Sequence, residues 1–192
     1  MDQLHWNQFI ALESDFEDCL RYVEPHEDNM HAFSTQFSIL LLSACSEVDV
    51  VLREIYKLAI PKNKQKRTTN INDHYDAILA LKAEDRGCVT DLENICVGIE
   101  RNTLLIEPWT RWDHGYPPSW WTAYNKVKHK RSDYFDQANL VNVLFSMAGL
   151  LSALAVYYRL AGSNTLIPAP SYFSLPPSVA FPAVFHDGVT GG

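Results

Sequence analysis

Apolar residues recur every third or fourth position through most of the chain, the period of helices packed on one face. Leu4, Phe9, Leu12, Phe16, Leu20 and Tyr22 are spaced roughly one turn apart and predict a first helix from residue 3 to about 23. Pro25 and the charged run HEDN end it. A clearer stripe follows. Phe33, Phe37, Leu40, Leu41, Ala44, Val48, Val51, Leu52 and Ile55 predict a long helix from about Asn29 to Ala59. Pro61 stops it, and KNKQKR forms a basic loop. A short helix is expected from Asp73 to Lys82.

Residues 84 to 117 give a less regular pattern. CVTDLENICVGIE reads as helix, and NTLLIEPWTRWDHGYPP reads as an extended, aromatic-rich connection. Pro117 and Pro118 suit the first turn of a further helix, which begins SWWTAYNKVKHKR. Ser132 and Asp133, with Asp136 after them, read as the cap of the last helix. That helix contains LVNVLFSMAGLLSALAVYY, Leu140 to Tyr158, without a charge. It is long enough to be a membrane span, and a bundle's central helix has the same composition. Asn142, Ser146, Gly149 and Ser152 interrupt it, no basic flank frames it and no second span is read beside it. The central helix of a bundle is therefore the expectation, and a membrane is not.

From Gly162 the pattern changes. Five of the ten prolines fall in residues 163 to 192, together with Tyr172, Phe173, Phe181 and Phe185. Proline forbids helix here, and the aromatics argue against a free tail. The expected fold class is all-α: one bundle of four to five helices over residues 1–162, with an extended proline- and aromatic-rich strap over 163–192, frayed after about Asp187.

Composition narrows the chemistry. The 192 residues are 47% hydrophobic and 20% charged, ordinary for a packed domain. A formal net charge of −7 argues against a surface that binds nucleic acid everywhere, while a local basic patch remains sufficient for phosphate contacts. Cys19, Cys45, Cys88 and Cys96 form no CxxC pair and read as reduced, mostly buried thiols of a cytoplasmic protein. MDQLHWNQF lacks the basic and apolar regions of a signal peptide. HEDNMH has one residue too many for a zincin helix, because His26 and His31 would lie about 140° apart. No metal and no cofactor are expected.

The densest chemistry is in residues 119 to 131. At about 100° per residue, Trp121, Asn125, Lys128, His129 and Ser132 share one arc, and Trp120, Tyr124, Val127 and Arg131 the next. An amide, an imidazole and a cation then meet on one surface. The same pattern reads as an aromatic core edge with a solvated basic face. On the second helix, Glu47 lies at the margin of the apolar stripe, about 20° from Leu40, and Asp49 is expected to be solvated on the opposite side.

The run AYNKVKH, with a long apolar helix after it, resembles the HEPN superfamily, and WWTAYNKVKHKR with ANLVNVLFSMAGLLSAL resembles a bacterial group within it. In helix order the resemblance covers residues 29 to 160. It implies a HEPN-like helical bundle that forms a homodimer and acts as a metal-independent endoribonuclease in phage defence or toxin-type RNA cleavage. It also implies a partner such as an antitoxin or another defence protein. His129 matches the family histidine and Asn125 the polar residue. Tyr124 stands where the family has arginine, so Lys128 or Arg131 would have to supply the positive charge. His129 would act as general acid or base, since an unperturbed imidazole titrates at about 6.5. Lys128, Arg131 and Asn125 would stabilise charge on the phosphate, Glu47 would be the acid on the second helix, and Trp120 or Trp121, beside Tyr124, would stack on a base. A non-catalytic module that binds RNA, nucleotide or a protein is the alternative.

Overall fold

The computed structural model describes residues 3–84, 92–99, 104–113, 115–163 and 165–181. Those residues are mostly helical. They form α1 (Leu4–Cys19), α2 (Thr35–Ala59), α3 (Ile71–Ala83), α4 (Ser119–His129), α5 (Arg131–Tyr134) and α6 (Leu140–Leu160). α2 begins where Ser34 accepts the backbone N–H of Phe37, and α3 begins at a capping box between Asn70 and Asp73. Each cap satisfies amide donors that a helix start otherwise leaves open.

α2 and α6 are the two central helices, and they start at the same end of the molecule. Leu140 donates its backbone N–H to Ala32 and Val141 to Met30, both at 3.0 Å. Deeper in, Ser146 of α6 hydrogen-bonds the thiol of Cys45 on α2, and burial pushes that thiol's pKa well up. α1 lies across both. Its His5 meets Glu47 of α2, and the backbone N–H of Trp6 donates to the phenol of Tyr158 on α6 at 3.3 Å. α6 is apolar on every side because it is buried on nearly every side, and its Leu, Ala and Val positions are inaccessible through most of its length.

Both α2 and α6 are long and apolar enough to cross a membrane, so a second such helix stands beside the one read from sequence. Of the apolar stretch in α6, 78% is buried within the fold.

Three expectations are corrected. The fold is broadly helical but carries strands as well: residues 97–99, 104–106 and 173–174 form a small antiparallel sheet. Strand β1 (Val97–Ile99) pairs with β2 (Leu104–Ile106) on one side and β3 (Phe173–Ser174) on the other. The described part of the helix expected over 88–100 is one 3-10 turn, Leu92–Asn94, followed by β1. Gly98 suits a strand there, since a Cβ would lie 2.6 Å from the Ser174 hydroxyl of β3. The last helix is capped by Asn139, whose side chain accepts the Asn142 N–H at 3.2 Å. Residues 131–137 instead form α5 and a 3-10 turn, so Ser132 and Asp133 do not open α6. The other boundaries shift by a few residues. α1 ends at Cys19, and α2 starts at Thr35 after a 3-10 turn over Glu27–Asn29.

The described part of the strap, residues 165–181, is firmly held, and the fraying expected after about Asp187 lies outside the described residues. Glu13 is buried, and its carboxylate accepts the backbone N–H groups of Ser171, Tyr172 and Phe173 at 3.0, 2.9 and 3.0 Å. The Trp6 indole donates to the Pro168 carbonyl at 2.9 Å. Arg159 donates to the carbonyls of Val179 and Ala180. Tyr172 and Phe173 bury their rings against Phe16.

Candidate functional site

α4 follows Pro118, whose fixed φ suits a helix start, and it turns one heavy face inward. Trp120, Trp121, Ala123, Tyr124 and Val127 are buried there. The tryptophans join those of residues 108–112 in a continuous series of ring contacts. Trp112 lies 4.6 Å from Trp109, Trp109 lies 5.0 Å from Trp120, Trp120 lies 5.9 Å from Trp121, and Trp121 lies 5.3 Å from Tyr124. Gly149 of α6 makes room for this layer, since a Cβ would stand 2.8 Å from the Trp120 ring. Two of these buried indole N–H groups have acceptors, while that of Trp112 has no hydrogen-bond partner among the described residues. Trp109 donates to Ser152 Oγ at 2.9 Å, and Trp120 donates to the Pro108 carbonyl at 2.7 Å.

The opposite face and the C-terminal end of α4 are basic and open. Lys126, Lys128, His129, Lys130 and Arg131 are all exposed, where a helix C-terminus favours cations. Lys128 is held. Its ammonium donates to the Tyr124 phenol at 3.0 Å and lies 5.1 Å from the centre of that ring. The hydrogen bond to Tyr124 pushes its pKa above the ordinary lysine value, and the charge of Asp49 adds to the effect. Asn125 is half-buried and donates its amide N–H to the Trp121 carbonyl at 3.0 Å, which fixes its orientation one turn before His129. The helix thus brings Asn125, Lys128 and His129 together at one surface, with Arg131 opening α5 just beyond.

Other sequence candidates lie elsewhere. Trp120, Trp121 and Tyr124 are 1%, 6% and 5% exposed, so their faces belong to the core and are not presented for stacking on a base. Glu47 turns toward α1. It bonds His5 Nδ1 at 2.5 Å, and the His5 ring stands edge-on to Tyr157. The acid of α2 whose charge acts on Lys128 is Asp49, expected to be merely solvated and found paired with Arg53 at 2.9 Å. Glu47 and Asp49 differ by about 200° around the helix, so only one of them can face α4.

Sequence reasoning missed His74. It is buried between α3 and α2, its Nε2 lies 3.0 Å from Thr69 Oγ1, and its Nδ1 has no hydrogen-bond partner among the described residues. Burial holds its pKa below the ordinary histidine value. The nearby Asp49 and Asp73 act upward against that, and Arg53 acts downward. Set in the polar run INDHYD, it carries no pattern that marks a buried position. Asp113 forms a bridge with Tyr116, and its neighbour His114 lies outside the described residues. Among the described residues no group of three or more His, Cys, Asp or Glu side chains is placed to hold a metal ion.

No family model matches the chain, and no match was found among curated proteins or solved structures.

Proposed function

We propose that the chain is a HEPN-like protein of the cytoplasm that cleaves RNA without a metal, at the basic end of α4. The observation that carries this reading is the Lys128–Tyr124 pair. The tyrosine that occupies the family's arginine position holds a lysine cation by its hydroxyl, one residue before His129. That supports a division of labour in which Lys128, with Arg131, neutralises a phosphate and His129 handles protons. In such a cleavage the 2′-oxygen forms a bond to the adjacent phosphorus and the bond to the 5′-oxygen breaks. His129 accepts the 2′-hydroxyl proton or returns one to the leaving 5′-oxygen. A homodimer that joins two such ends would double the local positive charge, which favours RNA despite the net charge of −7.

The burial of Trp120, Trp121 and Tyr124, with no arginine at 124, favours the second reading, a module that binds RNA, nucleotide or a defence-system partner such as an antitoxin without turnover. One experiment separates the two: incubation of the purified full chain with total cellular RNA in EDTA, beside His129→Ala. Cleavage by the parent alone supports the enzyme. Binding by both proteins with cleavage by neither selects the module, and cleavage retained by His129→Ala removes His129 from the chemistry.

A further inference from the structure

The C-terminal end of α1 and the N-terminal end of α2 enclose an open groove of about 420 Å³. Cys19, Val23 and Phe37 form an apolar floor, Asp15 and Asp18 stand along the α1 edge, and Tyr22 borders it with 87% of its surface exposed. The volume falls within the roughly 300–1,000 Å³ of ordinary binding clefts. Exposed aromatic surface beside an apolar floor is the usual character of an interaction site.

Charge decides what such a groove accepts. Residues 1–52 contain ten acids and one basic residue, Arg21, whereas the remainder holds fifteen lysines and arginines against thirteen acids. Arg21 reaches Asp18 at 3.3 Å with both side chains largely exposed, a pair that a better-placed cation displaces at little cost. Glu24, Glu27 and Asp28 continue the negative surface on the segment that leaves the groove, and all three are exposed. A polyanion is repelled here, so this surface and the basic end of α4 select opposite ligands.

The geometry points to this groove as the docking site of a cationic, amphipathic segment of a partner protein: an apolar side chain seats between Val23 and Phe37 while lysine or arginine side chains pair with Asp15 and Asp18. This inference does not depend on RNA cleavage. The Cys19 thiol reports on occupancy, because it is half-buried on the groove floor and donates to the Asp15 carbonyl at 3.3 Å. Burial, and then the charges of Asp15 and Asp18, raise its pKa, so it alkylates slowly enough to be followed.

The test uses the full chain and a fluorescein-labelled helical peptide of leucine and lysine, with a leucine–glutamate peptide of the same pattern as control. Anisotropy gives affinity, and mass spectrometry gives the rate of Cys19 alkylation by iodoacetamide. The expected results are binding of the lysine peptide only and several-fold protection of Cys19. Asp15→Lys with Asp18→Lys should weaken binding about tenfold or more, while Asp76→Lys, at an exposed position of α3, leaves it unchanged. Tyr22→Ser, at a position too exposed to affect folding, should weaken it as well. Equal binding by the doubly reversed variant, or binding that leaves Cys19 unprotected, overturns the proposal. So does self-association of the parent chain that the double reversal abolishes, since a second copy would then be the occupant.

Discussion

Lys128 donates its ammonium to the phenol oxygen of Tyr124 one turn earlier on α4, at 3.0 Å, so a buried tyrosine fixes the position of an exposed cation. Replacement of Tyr124 by Phe removes the acceptor and keeps the ring. The Lys128 pKa should then fall toward its ordinary value, measurable by NMR titration of the labelled side chain. A pKa raised on folding means that the native state holds the proton more tightly. The stability this contributes is complete below the unfolded lysine value of about 10.4 and is lost as pH rises through the folded one. Lys128 is solvent-exposed, so the parent's advantage at neutral pH should stay below about 1 kcal/mol.

Glu13→Gln tests the hold on the strap. The carboxylate accepts three backbone N–H groups and the Ser171 hydroxyl with two oxygens. An amide keeps one acceptor and places an NH₂ against the donors of the other pair. A loss of about 2–3 kcal/mol is expected, read from denaturant unfolding, with faster proteolysis within residues 165–181.

At Gly149 two effects oppose each other. Alanine would gain about 1 kcal/mol of helix propensity in the middle of α6. Its Cβ would also stand 2.8 Å from Cζ2 of Trp120, a ring pinned by its own bond to Pro108. Overpacking a tight core costs about 1–3 kcal/mol, and the clash should win. Gly149→Ala is therefore expected to lower the unfolding midpoint and shift tryptophan fluorescence.

His74 predicts an acid response. Burial depresses its folded pKa, so the unfolded chain binds the proton first as pH falls. Stability is full above the unfolded value of about 6.5 and declines as pH falls toward the folded pKa. Thermal melts between pH 7.5 and 5 should show that decline in the parent and a shallower one in His74→Gln, which keeps a polar group beside Thr69.

Helix positions were legible because their causes are local. The stripe from Phe37 to Ile55 is buried in α2 much as its spacing indicates, and the helix after Pro118 begins at Ser119. Strand β1 was not, since VGI becomes a strand by pairing with residues more than seventy positions later in β3. The cap of α6 was misread because Ser132–Asp133 and Asn139 are both good capping sequences. The contacts of residues 138–141 with residues 30–34 choose between them. In the candidate site, wheel geometry puts Asn125, Lys128 and His129 within one arc of α4. It could not tell which acid of α2 acts on α4: Glu47, at the margin of the stripe, is taken by His5 of α1, and Asp49, on the opposite side, is the acid whose charge reaches Lys128.

The attachment of Glu13 and Trp6 to residues 168–173 also sets an order of events during synthesis. These contacts join positions about 160 apart in the chain, so α1 leaves the ribosome long before the segment that completes its packing has been made. Until then its buried carboxylate and the faces of Phe9 and Phe16 lack their final neighbours. A helix made early is therefore among the last to be secured, and nascent chains stalled before residue 168 should remain open around α1.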